Sequence, residues 1–309
     1  MPHISSKEIL TDARKRGYGV GNLLGSDNEM VVGFCKAAEE LKSPVLLCFN
    51  QEVNPQIPMN IGIPLIVNAA EKCKVPVATV LDHGHCLDEV KEAIELGINT
   101  VMFDGSLLPY EENVAKTAEI VEYAHAKGIT VEGELGCITG SAAEAQSSSI
   151  EAVYTDPDQA CDFVSRTDVD LLAISFGNSH GLYKGEPVID LERVKTIFQR
   201  IEIPLVMHGA SGLKFEIYPA IISAGISKIN YYSALSKEAV GNINYCMQNG
   251  AKTAYHDMVN CAVDSFYNQT KHLFRLWGSV AASATTTDEI VEIVTNEVLE
   301  NLNNDGRLL

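Results

Sequence analysis

The sequence predicts one (β/α)8 barrel of the TIM type, with its core over 1–249 and a C-terminal helical extension over 250–309. Three observations predict it. Eight short runs of apolar, often β-branched residues recur along the chain, each bounded by Gly, Pro, Asp or Asn. The runs are continuously apolar rather than alternating, the mark of parallel strands buried on both faces. Each is followed by a helical pattern, and 309 residues suit a single barrel. A doubly wound sheet is the alternative, but no G-x-G-x-x-G follows the first strand.

The strand candidates are YGVGNLL (18–24), PVLLCF (44–49), PVATVLDH (76–83), TVMFD (100–104), TVEGEL (130–135), LLAISFG (171–177), PLVMHG (204–209) and KINYY (228–232). Between them, residues 28–41 place Met30, Phe34, Ala38 and Leu41 on one helical face. The amphipathic run 110–128 stops at Gly128, and 156–167 opens with Asp156 as N-cap and Pro157 in its first turn. Further helices start at Asp190 and end at Gly225, and residues 233–250 can supply the helix that closes the barrel. Beyond it, 257–283 and 287–302 read as added helices that serve an oligomer contact, in a homodimer or homotetramer. The Ser- and Ala-rich stretch 141–152 reads as a loop.

Composition narrows the function. Lys and Arg number 23 against 41 Asp and Glu, a net charge of −18. That excludes non-specific nucleic-acid binding, which needs a basic surface, but leaves room for one small phosphorylated ligand. The eight cysteines are scattered with no C-x-x-C pair, so reduced thiols and a cytoplasmic location are expected. No signal-peptide pattern and no apolar run of membrane-spanning length is visible, so no membrane partner is expected.

In such a barrel the functional groups sit at the C-terminal ends of strands. Those ends here carry Asp82 and His83, Asp104, Glu134, Asn178 and His180, His208 and Asn230. Three imidazoles converging on one mouth with a position left open are the donor set of a catalytic zinc site. Each histidine taken singly also fits a hydrogen-bonded loop residue. His85 could share the face of His83, but Gly84 between them predicts a turn that leaves His83 as the ligand. His125, His256 and His272 lie in helical patterns. HGASG (208–212) and KINYYS (228–233) lead into helices after strands seven and eight, where backbone N–H groups can hold a phosphate.

LDHGH, VMFDGS, VEGELG, GNSHGLYKGEPVIDLERV, PLVMHGASGL and KINYYSAL together resemble the class II, zinc-dependent ketose-bisphosphate aldolases, including fructose- and tagatose-bisphosphate aldolases. The resemblance runs to about Ala239. It implies that His83, His180 and His208 hold Zn2+, with Asp82 as acid/base at the aldehyde oxygen and Asp104 and Glu134 as supporting groups or an alternate metal position. It places dihydroxyacetone phosphate at Gly181, Gly209 and Ser211, with a monovalent cation (Na+ or K+) nearby, Asn230 on the substrate and Ser233 on its phosphate.

The chain also departs from the family. The family usually carries Asn at Leu24, Ser or Thr at Asn50, and His at Val80 and Leu107. In the loop after strand five, Thr139 replaces a glycine and Ala142 stands where the family has the Glu that handles the carbon-bound proton. Glu144 offers a loop carboxylate in its place if the loop shifts. The expected function is retro-aldol cleavage of a phosphorylated ketose to dihydroxyacetone phosphate and an aldehyde. The alternatives are a zinc- and sugar-phosphate-binding protein with weak or lost turnover, and a barrel metallohydrolase built on His83 and His85.

Overall fold

The computed structural model describes residues 3–53, 55–138, 153–181, 183, 185–250 and 254–305. Strands β1 (Val20–Leu24), β2 (Val45–Phe49), β3 (Val77–Gly84), β4 (Thr100–Phe103), β5 (Thr130–Leu135), β6 (Leu171–Ile174), β7 (Leu205–Met207) and β8 (Ile226–Tyr231) pair in sequence order. All pairs are parallel, and β8 closes the barrel against β1. The eight strands fall where the apolar runs predict them.

A period of two lies hidden inside those runs. Leu23, Leu47, Leu81, Val101, Leu172 and Met207 face outward into the cluster shared with the helices. Their neighbours Leu24, Leu46, Cys48, Val80, Met102, Ala173 and Val206 form a separate cluster inside the barrel. Both sets are buried, so hydrophobicity alone does not separate them. Helix α1 (Ser6–Arg16) adds Ile9, Leu10 and Ala13 to the inner cluster. It is tied to strand starts by Ser5 to Thr130 and Ser6 to Thr100, both at 2.7 Å, and so plugs the N-terminal end. The other end stays open for chemistry.

Helices α2 (Asn28–Glu40), α3 (Met59–Lys72), α4 (Leu87–Glu95), α5 (Tyr110–His125), α6 (Pro157–Thr167), α7 (Leu191–Arg200) and α8 (Tyr218–Ala224) follow β1 to β7. The caps read in the sequence form: Asp156 accepts from the N–H groups of Asp158 and Gln159, and Asp190 from that of Arg193. α8 is shorter than its sequence pattern, because Phe215–Ile217 winds as a 3-10 turn before Pro219.

After β8 the chain differs from expectation. Helix α9 (Ser233–Asn249) buries only Leu235 and Ala239. The ring is completed by α10 (Tyr255–Trp277), which packs on α2, α8 and β1. It buries Phe266, Leu273, Phe274 and Trp277, and Gly21 of β1 leaves space for the indole: a Cβ there would lie 2.6 Å from Trp277. Gly278, in the left-handed region at φ 72°, ends α10 before the expected 283. Helix α11 (Thr287–Asp305) follows.

The expectation that all cysteines are free thiols is also corrected. Cys246 of α9 and Cys261 of α10 form a disulfide across 6.3 Å between Cα atoms. Sequence spacing hides such a pair, because the two helices fold back on each other to bring it together. No described helix is long and apolar enough to cross a membrane.

Candidate active site

Asp82 and His83 are consecutive, and a regular strand would point them to opposite faces. β3 breaks that rule. Its register against β4 shifts between Leu81 and Gly84, and His83 adopts φ 55°. This local bulge turns both side chains into the open mouth. His208 follows β7 directly, and His180 comes from the loop after β6. The three rings meet edge to face, with centroids 5.1 Å apart for His83 and His180, 4.7 Å for His83 and His208, and 5.7 Å for His180 and His208.

The ring nitrogens have distinct jobs. His83 Nδ1 lies 2.9 Å from Asp104 Oδ2, and His208 Nε2 lies 2.9 Å from Glu132 Oε1. Those contacts leave His83 Nε2 and His208 Nδ1 facing each other across 3.1 Å. One nitrogen from each of the three histidines falls within 4.8 Å of the others. Nitrogens on a tetrahedral ion at about 2.0–2.1 Å would sit roughly 3.4 Å apart, so small ring rotations bring the set to metal geometry. The donors therefore fit a divalent cation. His83, Asp104 and Glu134 make a second group of the same kind.

The electrostatics divide the three histidines. Burial, reinforced by the neighbouring imidazoles, holds His180 and His208 well below the usual histidine range, in the neutral form that ligates. Burial also lowers His83, but Asp82 and the hydrogen bond with Asp104 outweigh it and push its pKa up to about 10. Burial favours the neutral acid at Asp82, yet His83, His208 and Lys228 together hold it below the ordinary carboxylate value. Asn230 Nδ2 donates to Asp82 Oδ1 at 2.8 Å, fixing the carboxylate. Glu134 goes the other way: burial, then the nearby Asp104, push it well above the usual range, and its Oε2 has no partner.

The cavity wall opposite β3 is built from closely approaching backbone. Gly209 has φ 64°, and a Cβ there would lie 2.3 Å from the Ser179 carbonyl oxygen. Only glycine fits so close an approach. Ser211 Oγ accepts from the Tyr232 N–H at 3.0 Å. The N-terminus of α9 at Ser233 has no capping side chain. Gly181, Gly209, Ser211, Asn230 and Ser233 line one cavity together with Asp82 and the three histidines.

Other singled-out residues fall elsewhere. His85 turns away to Glu52, its Nε2 3.0 Å from Oε1, and is half exposed. Val80 is buried inside the barrel beneath Asp82. Leu107 is 71% exposed, and Asn50 is buried with its Nδ2 unpartnered. Of the described departures, Leu24 alone lines the reaction cavity. Thr139, Ala142 and Glu144 lie outside the described residues.

Four contributors escaped the sequence reading. Glu132 and Lys228, both fully buried, form an ion pair at 2.6 Å beneath His208. Asn22 donates to Asp82 Oδ1 at 3.5 Å. The Tyr183 hydroxyl accepts from the Ser179 N–H at 3.0 Å and donates to the Gly209 carbonyl at 2.8 Å, pinning two loops together. Counting back in twos from Glu134 and Asn230 would have found Glu132 and Lys228.

A closed parallel barrel whose C-terminal mouth gathers three imidazoles and an ionised carboxylate has the build of a barrel enzyme with a candidate metal centre. The chain belongs to the class II fructose-bisphosphate aldolase family, whose model, described as "Fructose-bisphosphate aldolase class-II", matches residues 4–282. It is similar to a sulfofructosephosphate aldolase from Alkalicoccus urumqiensis, 35% identical over 281 residues, covering 90% of this chain and 98% of that protein. A fructose-bisphosphate aldolase of Staphylococcus aureus (strain N315) is 37% identical over 236 residues, covering 74% and 81%. Among solved structures, the YdjI aldolase from Escherichia coli K12 superposes with a TM-score of 0.80 at 32% identity, covering 90% of this chain and 98% of that one. Membership implies a lyase of the aldolase type.

Proposed function

We propose that the protein is a zinc-dependent aldolase that reversibly cleaves a phosphorylated ketose to dihydroxyacetone phosphate and an aldehyde. The observation that carries this is the placement of an ionised Asp82 directly beside the nitrogens of His83, His180 and His208. The names of the relatives support a ketose phosphate as substrate. Zn2+ held by these histidines would act as a Lewis acid on the C2 carbonyl.

The protein's own groups do the rest. Asp82, oriented by Asn230 and Asn22, takes the C4 hydroxyl proton as the C3–C4 bond breaks, and C4 leaves as the aldehyde carbon. The bonding pair passes to C3 and is delocalised toward C2. Glu132 and Asp104 keep the ligating nitrogens of His208 and His83 pointed inward. Ser211, Ser233 and the N–H groups of Gly181 and Gly209 receive the phosphate, where a bound Na+ or K+ would add a counter-charge. Protonation of C3 needs a second donor, for which the sequence offers Glu144.

A second reading, an aldolase-like binding protein with weak turnover, is favoured by Ala142 in the loop. Solvent exchange of the C3 hydrogen of dihydroxyacetone phosphate separates the two. Zinc-dependent exchange is the expected result; binding without exchange would replace the aldolase reading with the binding one. The H-x-H metallohydrolase is disfavoured, because His85 pairs with Glu52 outside the cluster.

A further inference from the structure

The reaction cavity encloses only about 50 Å³. That space is too small for a whole sugar phosphate, so part of the substrate extends outside it. Asp82 and His83 also form one wall of a second cleft of about 350 Å³, which contains Glu52, His85 and Glu89. The substrate beyond C4 must therefore lie in that direction, past Leu24, Cys48 and Val53.

The two ends differ sharply in charge. At the far end, none of the described lining residues of either space is a lysine or arginine. Glu52 is held by the His85 ring, and Glu89 accepts from the His85 N–H at 2.8 Å, so both carboxylates stay at the rim. Asp88 and Glu89 already answer the N-terminal dipole of α4. A phosphate carries about −1.5 to −2 charges and is held by Arg, Lys or free backbone N–H groups. Gly181, Gly209 and the uncapped start of α9 line the cavity on the opposite side.

We propose that the substrate is a ketose monophosphate: its single phosphate sits at Gly181, Gly209 and Ser233, and its far end, against Leu24 and the Glu52–His85–Glu89 rim, is neutral and hydroxylated. The aldehyde partner then carries no phosphate, sulfonate or carboxylate. This rests on the aldolase reading and sharpens it. Leu24 and Val53 meet the aldehyde's carbon chain, while Gln51, Glu52 and His85 supply hydrogen-bonding groups for hydroxyls. Glu52 and Glu89 act by excluding anions rather than by touching the reacting atoms.

The test runs the reaction toward synthesis. Zinc-loaded protein is given dihydroxyacetone phosphate with either D-glyceraldehyde or D-glyceraldehyde 3-phosphate. Glyceraldehyde is expected to be used with at least a tenfold higher kcat/KM, and a Glu52→Gln, Glu89→Gln double variant to narrow that ratio by raising use of the phosphorylated aldehyde. Equal or faster use of glyceraldehyde 3-phosphate by the unaltered protein overturns the proposal and leaves the aldolase reading standing. Failure of both aldehydes, together with no exchange at C3, overturns both. Binding gives an independent readout: the Asp82→Asn protein titrated by calorimetry should bind fructose 1-phosphate at least tenfold tighter than fructose 1,6-bisphosphate. The reverse order counts against the proposal.

Discussion

Glu132 meets two demands at once, holding His208 Nε2 with one oxygen and neutralising Lys228 with the other, all without solvent contact. Glu132→Gln should therefore cost about 3–5 kcal/mol in denaturant unfolding, because it leaves a buried ammonium unpaired. It should also weaken zinc binding by about 10–100-fold, as expected when the partner orienting a ligand is altered. Adding Lys228→Met should restore most of the stability but not the metal affinity, and the double-mutant cycle measures the split. Asp82→Asn should lower cleavage by about 10²–10⁴-fold while zinc content is unchanged; cleavage retained at the original rate would remove Asp82 from its role. His208→Ala should fail to retain stoichiometric zinc. His83, His208, Asp82 and Asn230 were legible because a polar residue ending an apolar strand stands out, and His180 because it closely follows strand six. Glu132 and Lys228 were not, because strands buried on both faces mask which parity faces inward, and Tyr183 acts through a loop contact that no local pattern encodes.

At the scale of elements, the strands were read correctly because Gly, Pro and Asp punctuate them. α3 was harder to see, since Pro64 lies within it. α9 and α10 exchanged expected places: α9 follows β8 directly, yet α10 carries the face that completes the ring. Its indole fills the space over Gly21, so Trp277→Ala should destabilise the fold by about 3–5 kcal/mol, read from the urea midpoint. A midpoint unchanged from the parent would show that α10 is peripheral. The β3 bulge could not be anticipated, since no residue between Leu81 and Gly84 announces a register shift, although Gly84 did suggest a turn.

For the molecule as a whole, length and the recurring apolar runs were enough to admit one barrel. They said nothing of how the C-terminal helices attach. One attachment is titratable. Glu40 of α2 accepts hydrogen bonds from Lys271 and Tyr267 of α10. Burial pushes the Glu40 carboxyl up, but those two bonds outweigh it and hold its pKa below the ordinary value. A lowered carboxylate pKa stabilises the fold above the unfolded pKa, and that contribution fades as pH falls through the folded one. Glu40→Gln should thus be less stable than the parent near neutral pH, with the gap closing below about pH 4; a gap independent of pH would assign the effect to packing. Because the side chain is 41% exposed, the gap should be small and shrink with salt.

The late position of α10 also matters while the protein is being made. Until the chain through Trp277 has been made, Gly21 of β1 and the Tyr231 ring of β8 lack the indole that packs on them, and a nascent barrel with all eight strands formed still shows bare apolar surface there. Translation at about 5–20 residues per second sets the length of that exposure. The segment least typical of a barrel is therefore the last cover its first strand receives.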